Sequence, residues 1–169
     1  GFVISPQTLE GETTYVLSAD LYLAPRLQNA LYESSIPDMI ASLERLLAIE
    51  GEFTLCPSHG GPFANGRERV QKLRGWYLRE LDAILAARAR LQLTAEQCRQ
   101  PAAYHAIFRE RYGADALYNS MELLSQGELS RLALIRGVID PVRVLPAEPI
   151  ELDAELAAKS RSLASARSD

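Results

Sequence analysis

FTLCPSHGGPFANGRERV, residues 53–70, joins three signals: an uncharged apolar run, a turn carrying one of only two histidines in the chain, and a charged segment. Phe53 to Cys56, unbroken by charge, predicts a short buried strand of the parallel type. Asn65 is a good helix cap, and Val70, Leu73, Tyr77, Leu81, Ile84 and Leu85 then recur at helical period through about seven turns, with Gly75 the one weak position. The local unit is therefore strand, loop, long helix. His59 stands at the mouth of the strand, between Ser58 and a double glycine.

Upstream, Ser35-Ile36-Pro37-Asp38 supplies an N-cap, a proline in the first turn and a carboxylate for the positive helix end. Met39, Ile40, Leu43, Leu46 and Leu47 continue as one apolar stripe that ends near Ile49, before Gly51. Before an irregular stretch from Leu21 to Glu33, two strands are predicted, Phe2 to Ser5 and Thr13 to Ala19. PQTLEGE between them suits the turn of an antiparallel hairpin. Asp20 follows the second strand directly, where side chains of a sheet commonly project into a site.

Downstream, Thr94-Ala95-Glu96-Gln97 resembles a capping box, Pro101 marks another helix start, and Ala116 to Arg136 predicts a further amphipathic helix. The second half is expected to be all helical. Beyond Gly137 come Pro141, Pro146 and Pro149, and then a small, polar ending with little to bury, which predicts an extended arm and a frayed or weakly helical tail.

At 169 residues the chain can bury a sizeable core without requiring several domains. No apolar stretch approaches the roughly 18 residues of a membrane span, so a cytoplasmic setting is expected. Cys56 and Cys98 lack metal or disulfide spacing and read as buried thiols. The opening, GFVISP, has no initiator methionine and no signal peptide, and reads as the interior of a longer polypeptide. Residues 66–113 carry ten basic and five acidic side chains. With Glu68, Glu80, Asp82 and Glu110 interleaved and no aromatic interleaving of the kind that stacks bases, this block reads as a salt-bridged helix surface rather than a nucleic-acid patch.

Asp20 and His59 each follow a strand. As neighbours in one sheet they would emerge at the same edge, offering oxygen and nitrogen to a divalent metal such as zinc. Alone, each also has an ordinary reading, His59 as a turn histidine among glycines and Asp20 as a cap for nearby amides. Two ligands do not complete a zinc site, and His105, beside Tyr104 and Phe108, reads as a packed or surface helical histidine. Ser58 suggests a Ser-His-Asp triad, but adjacent residues cannot readily face each other and no GxSxG turn is present.

Taken in order, GFVIS, VLSADLYL, SIPDMIASLERLLAI and LCPSHGGPFANGRERV resemble successive segments of the C-terminal half of a metallo-β-lactamase-fold hydrolase. The second resembles the strand ending in SGD or TGD, and the last the PGHGP motif and its helix; SAD and PSHG depart from those patterns by one residue each. The resemblance implies that residues 1–93 are the C-terminal half of an αββα sandwich; the pattern beyond them predicts an all-helical extension over 94–140 and an arm and tail over 141–169. The resemblance implies further that Asp20 bridges two metal ions, expected to be zinc, with iron or manganese as substitutes, and that His59 ligates the second. The HxHxDH motif of the family has no match here, so an upstream segment or companion chain is expected to supply it, and this chain alone would be inactive. The implied activity is hydrolysis of an ester, thioester, lactone or amide-type small molecule. Alternatives are a non-catalytic scaffold lacking a full metal site, and a metal-dependent nuclease. The helical extension could form a homodimer interface or cap the substrate pocket.

Overall fold

Exposure alternates along Thr14–Ala19 as a strand with one covered face requires: Val16 and Ser18 are buried, Tyr15 and Leu17 exposed. In a computed structural model of the chain, which describes residues 2–4, 14–22, 30–31, 34–141 and 151–165, this strand (β2) pairs antiparallel with β1 (Phe2–Ile4), Phe2 opposite Leu17 and Ile4 opposite Tyr15. The predicted hairpin pairing is present; its turn lies outside the described residues. A two-residue strand, β3 (Ala30–Leu31), interrupts the stretch expected to be irregular.

α1 (Ile36–Leu47) begins with proline in its first turn, as the sequence requires, and buries Ile36, Ile40, Leu43 and Leu46. β4 (Phe53–Pro57) lies parallel to β2, giving a three-stranded sheet of order β1-β2-β4. α2 (Gly66–Arg90) is the long helix. It buries Val70, Tyr77 and Ile84, whereas Leu85, expected in the same stripe, is exposed.

Two compact units divide the chain. One comprises Gly1–Leu27 with Asp38–Arg79, the other Gln28–Pro37 with Glu80–Asp169. Within the first, Arg67 terminates α1. Its Nη1 donates to the Leu47 carbonyl at 2.9 Å, its Nη2 to that of Ile49, and its Nε and Nη2 to that of Gly51 at 2.9 and 2.7 Å. One guanidinium thus satisfies the carbonyl of the last helical residue, Leu47, and two carbonyls of the turn that follows it. The adjacent Gly66 lets the start of α2 approach β4: a Cβ there would lie 2.5 Å from the Phe53 carbonyl oxygen.

In the second unit, Thr94 and Gln97 exchange the two bonds of a capping box, 2.9 and 3.2 Å, ahead of a single 3₁₀ turn at Gln97–Arg99. α3 (Pro101–Tyr112) opens on its proline. The single helix expected over 116–136 is instead α4 (Ser120–Leu124), β5 (Leu129–Ser130) and α5 (Arg131–Ile139). Gln126 and Gly127 take φ of +52° and +91°, ending α4, and the Ser130 hydroxyl accepts from Ala133 N to start α5. β5 pairs antiparallel with β3, so this half is not all helical. Of the two forms expected for the ending, helix is the one present: α6 (Ala154–Ser165) is capped by Asp153 and buries Ala157 and Ser160, whose hydroxyl accepts from Tyr118 N. The described residues form a mixed α/β structure, mostly helical, with two small sheets, of which the three-stranded one contains a parallel pair.

His105 lies half-buried on α3. Burial is the main cause that holds its imidazole below the ordinary 6.5, with Arg109 acting in the same direction and Asp153 against it. The unfolded chain therefore takes up this proton more readily. Stability contributed by neutral His105 is complete above pH 6.5 and is lost as pH falls through the lowered folded value. Melting temperatures measured across that window are expected to fall less steeply in His105→Gln than in the parent chain; identical slopes would remove His105 as a cause.

Candidate functional site

The parallel pairing of β2 and β4 brings both strand exits to one edge. Thr14 pairs with Phe53 and Leu17 with Cys56, but the next pair is Ala19 with Pro57, leaving Ser18 as the extra residue of a bulge. Ala19 has φ of +46°, a left-handed conformation that costs a non-glycine residue roughly 1–2 kcal/mol. This is the position at which SAD departs from SGD. The Ser18 hydroxyl beside it is buried and has no hydrogen-bond partner among the described residues.

The bulge and the following turn, closed by Leu21 N donating to Ser18 O at 3.1 Å, set Asp20 against the end of β4. Ser58 N donates to Ala19 O at 3.4 Å, and the Ser58 hydroxyl donates to Asp20 Oδ1. Asp20, Ser58 and His59 are all exposed. Ser58 is thus no nucleophile paired with His59; it holds the carboxylate. Sequence reasoning weighed it only as a triad member, although parallel register was the signal that places residue 58 beside residue 20.

Beyond His59 the loop is closed by a two-bond bridge, Leu55 N to Phe63 O at 2.9 Å and Phe63 N to Leu55 O at 2.8 Å, with Gly60 at φ +91° turning the chain inside it. Phe63 meets Tyr22 edge to face, ring centroids 5.8 Å apart. Tyr22 is two residues past Asp20, so the loops after β2 and β4 are fastened by an aromatic pair as well as by Ser58. β1 runs antiparallel to β2, and its first residue, Phe2, pairs with Leu17, so chain preceding Phe2 enters the sheet from this same edge.

Neither a family model, nor a characterised protein, nor a solved structure matches this chain. The site must be judged on its own donors. Asp20 and His59 are of the right kind for zinc, but no group of three or more His, Cys, Asp or Glu that could hold a metal occurs among the described residues. His105 belongs to the other compact unit. Cys98 is buried in that unit, Cys56 is half-buried in β4, and both are free thiols. Among the described residues no helix is long and apolar enough to cross a membrane.

Proposed function

We propose that this chain supplies the Asp20–His59 side of a dinuclear, zinc-dependent hydrolase site in a cytoplasmic protein, acting on an ester, thioester, lactone or amide-type small molecule. The observation that carries this reading is the convergence of three strand termini, the end of β2, the end of β4 and the start of β1, on one edge. A segment leading into β1 would carry the remaining ligands to the place where Asp20 and His59 stand. The exposed Tyr15 and Leu17 give that segment an apolar sheet face to cover, as the second sheet of an αββα sandwich would.

Asp20 suits a bridging role because its carboxylate keeps Oδ2 and a second lone pair on Oδ1 after accepting from Ser58. That hydroxyl limits rotation of the carboxylate, so ligand geometry is set before a cation arrives. His59 makes no hydrogen bond among the described residues, which leaves both ring nitrogens available. A bound metal pair supplies Lewis acidity and a water that ionises near neutral pH. This chain contributes charge compensation through Asp20 and a neutral nitrogen through His59.

The test is metal analysis of the polypeptide that includes the segment preceding Gly1. About two zinc or iron ions per chain are expected, falling in both Asp20→Ala and His59→Ala with loss of hydrolysis. Metal-free protein, or a preceding segment without HxHxDH, would leave the scaffold alternative standing.

A further inference from the structure

The basic residues at the start of α2 are mostly accounted for. Arg67 is spent on carbonyls, Lys72 pairs with Glu68, and Arg74 pairs with Glu44 at 2.6 Å. Arg69 differs. Its Nε donates to Asn65 Oδ1 at 2.8 Å, its Nη1 to Tyr22 Oη at 3.2 Å, and its guanidinium lies 3.9 Å from the Phe63 ring centroid. Among the described residues no carboxylate forms an ion pair with it, although its charge adds to the pull that lowers the Glu68 carboxyl, and Nη2 keeps two N–H donors without a partner. The side chain is half-buried, so part of its hydration has been exchanged for the Phe63 face, while no carboxylate among the described residues touches its guanidinium.

Three contacts fix this guanidinium in orientation, which removes most of the entropy cost of using its remaining donors. Its contacts, Tyr22 and Phe63, belong to the two loops that carry Asp20 and His59. We infer that Arg69 forms an oxyanion-binding site at the candidate site's edge, receiving a carboxylate or phosphate group through its uncommitted N–H donors. A planar, always-charged fork held over an aromatic ring recognises such groups better than a mobile lysine does. That the bound group is part of the substrate rests on the hydrolase reading; the anion site itself does not, and it narrows the substrates of that reading to anionic ones.

The experiment titrates the chain in metal-stripped buffer with inorganic phosphate, with succinate, and with chloride at matched ionic strength, following the backbone amide resonances of Tyr22 and Phe63. Saturable shifts with phosphate, with succinate, or with both are expected, the responding probe identifying tetrahedral or planar recognition. In Arg69→Gln the affinity should fall roughly tenfold or more, with Arg69→Lys recovering only part. Thermal unfolding of each variant identifies those that remain folded, and if the glutamine variant does not, the lysine variant carries the comparison. Equal shifts with chloride, no saturation with either oxyanion, or unchanged affinity in a folded variant would overturn the site whatever metal the full-length protein binds.

Discussion

Glu122→Ala is expected to lower the stability of the second compact unit by about 3–5 kcal/mol, the cost of removing one member of a buried ion pair. Glu122 is fully buried. Its carboxylate accepts from Asn119 N at 2.7 Å and Arg131 N at 2.8 Å, and from the Arg131 guanidinium at 2.6 to 3.2 Å. One side chain therefore completes the capping box of α4 and satisfies the first amide of α5. The substitution leaves Arg131, only 16% exposed and 4.8 and 4.9 Å from the ring centroids of Phe108 and Tyr112, with a charge and no counter-ion. The measurement is urea unfolding followed by circular dichroism. The paired replacement Glu122→Leu with Arg131→Met should recover much of the loss, because it removes both charges. A single-variant loss below about 1 kcal/mol would show that the pair contributes no more than an exposed one.

Gly66→Ala should destabilise the first unit by about 1–3 kcal/mol, against the direction of helix propensity. The added methyl meets the Phe53 carbonyl oxygen at 2.5 Å and two Phe53 ring carbons at 2.6 and 2.7 Å. A backbone oxygen in a paired strand cannot step aside without moving β4 or the start of α2, where Arg67 holds the end of α1. Gly75 in the same helix is the internal control: a Cβ there meets only the flexible end of Arg79, at 3.4 Å. Gly75→Ala should therefore gain up to about 1 kcal/mol. Unfolding midpoints that move in the same direction for both substitutions would mean that the close approach at Gly66 is absent.

Much of the first unit was legible because its signals are local. Leading into that unit, Ile36, Pro37 and Asp38 open α1 where the sequence signalled a helix start, and Gly51, at φ +72°, turns the chain beyond its end. The apolar run at 53 and the cap at Asn65 bracket the loop. The second unit was less legible because its decisive features are either too short for periodicity or depend on distant partners. Residues 116–136 keep an apolar pattern through a break that is made by two left-handed residues, one of them Gln126, whose type gives no warning. β3 and β5, at two residues each, exist only because they pair with one another. The short polar ending folds because Ser160 reaches the Tyr118 amide, a contact between residues 42 positions apart. At the site, the shared edge for Asp20 and His59 followed from their places after strands. The Ser58 hydrogen bond and the Arg69 stack did not, since both need the register of β2 on β4 and the seating of α2.

The Leu55–Phe63 bridge makes the histidine loop a small ring pinned at its neck. Amide hydrogens at the neck should exchange slowly with solvent while those at residues 59–61 exchange fast, so local opening of the loop is uncoupled from unfolding of the sheet. Length can then be added between Gly60 and Gly61 cheaply, since doubling a closed loop costs only about 0.6 kcal/mol in chain entropy. Within this fold the ring is a place where reach and shape can diversify while the strand that carries it stays unchanged.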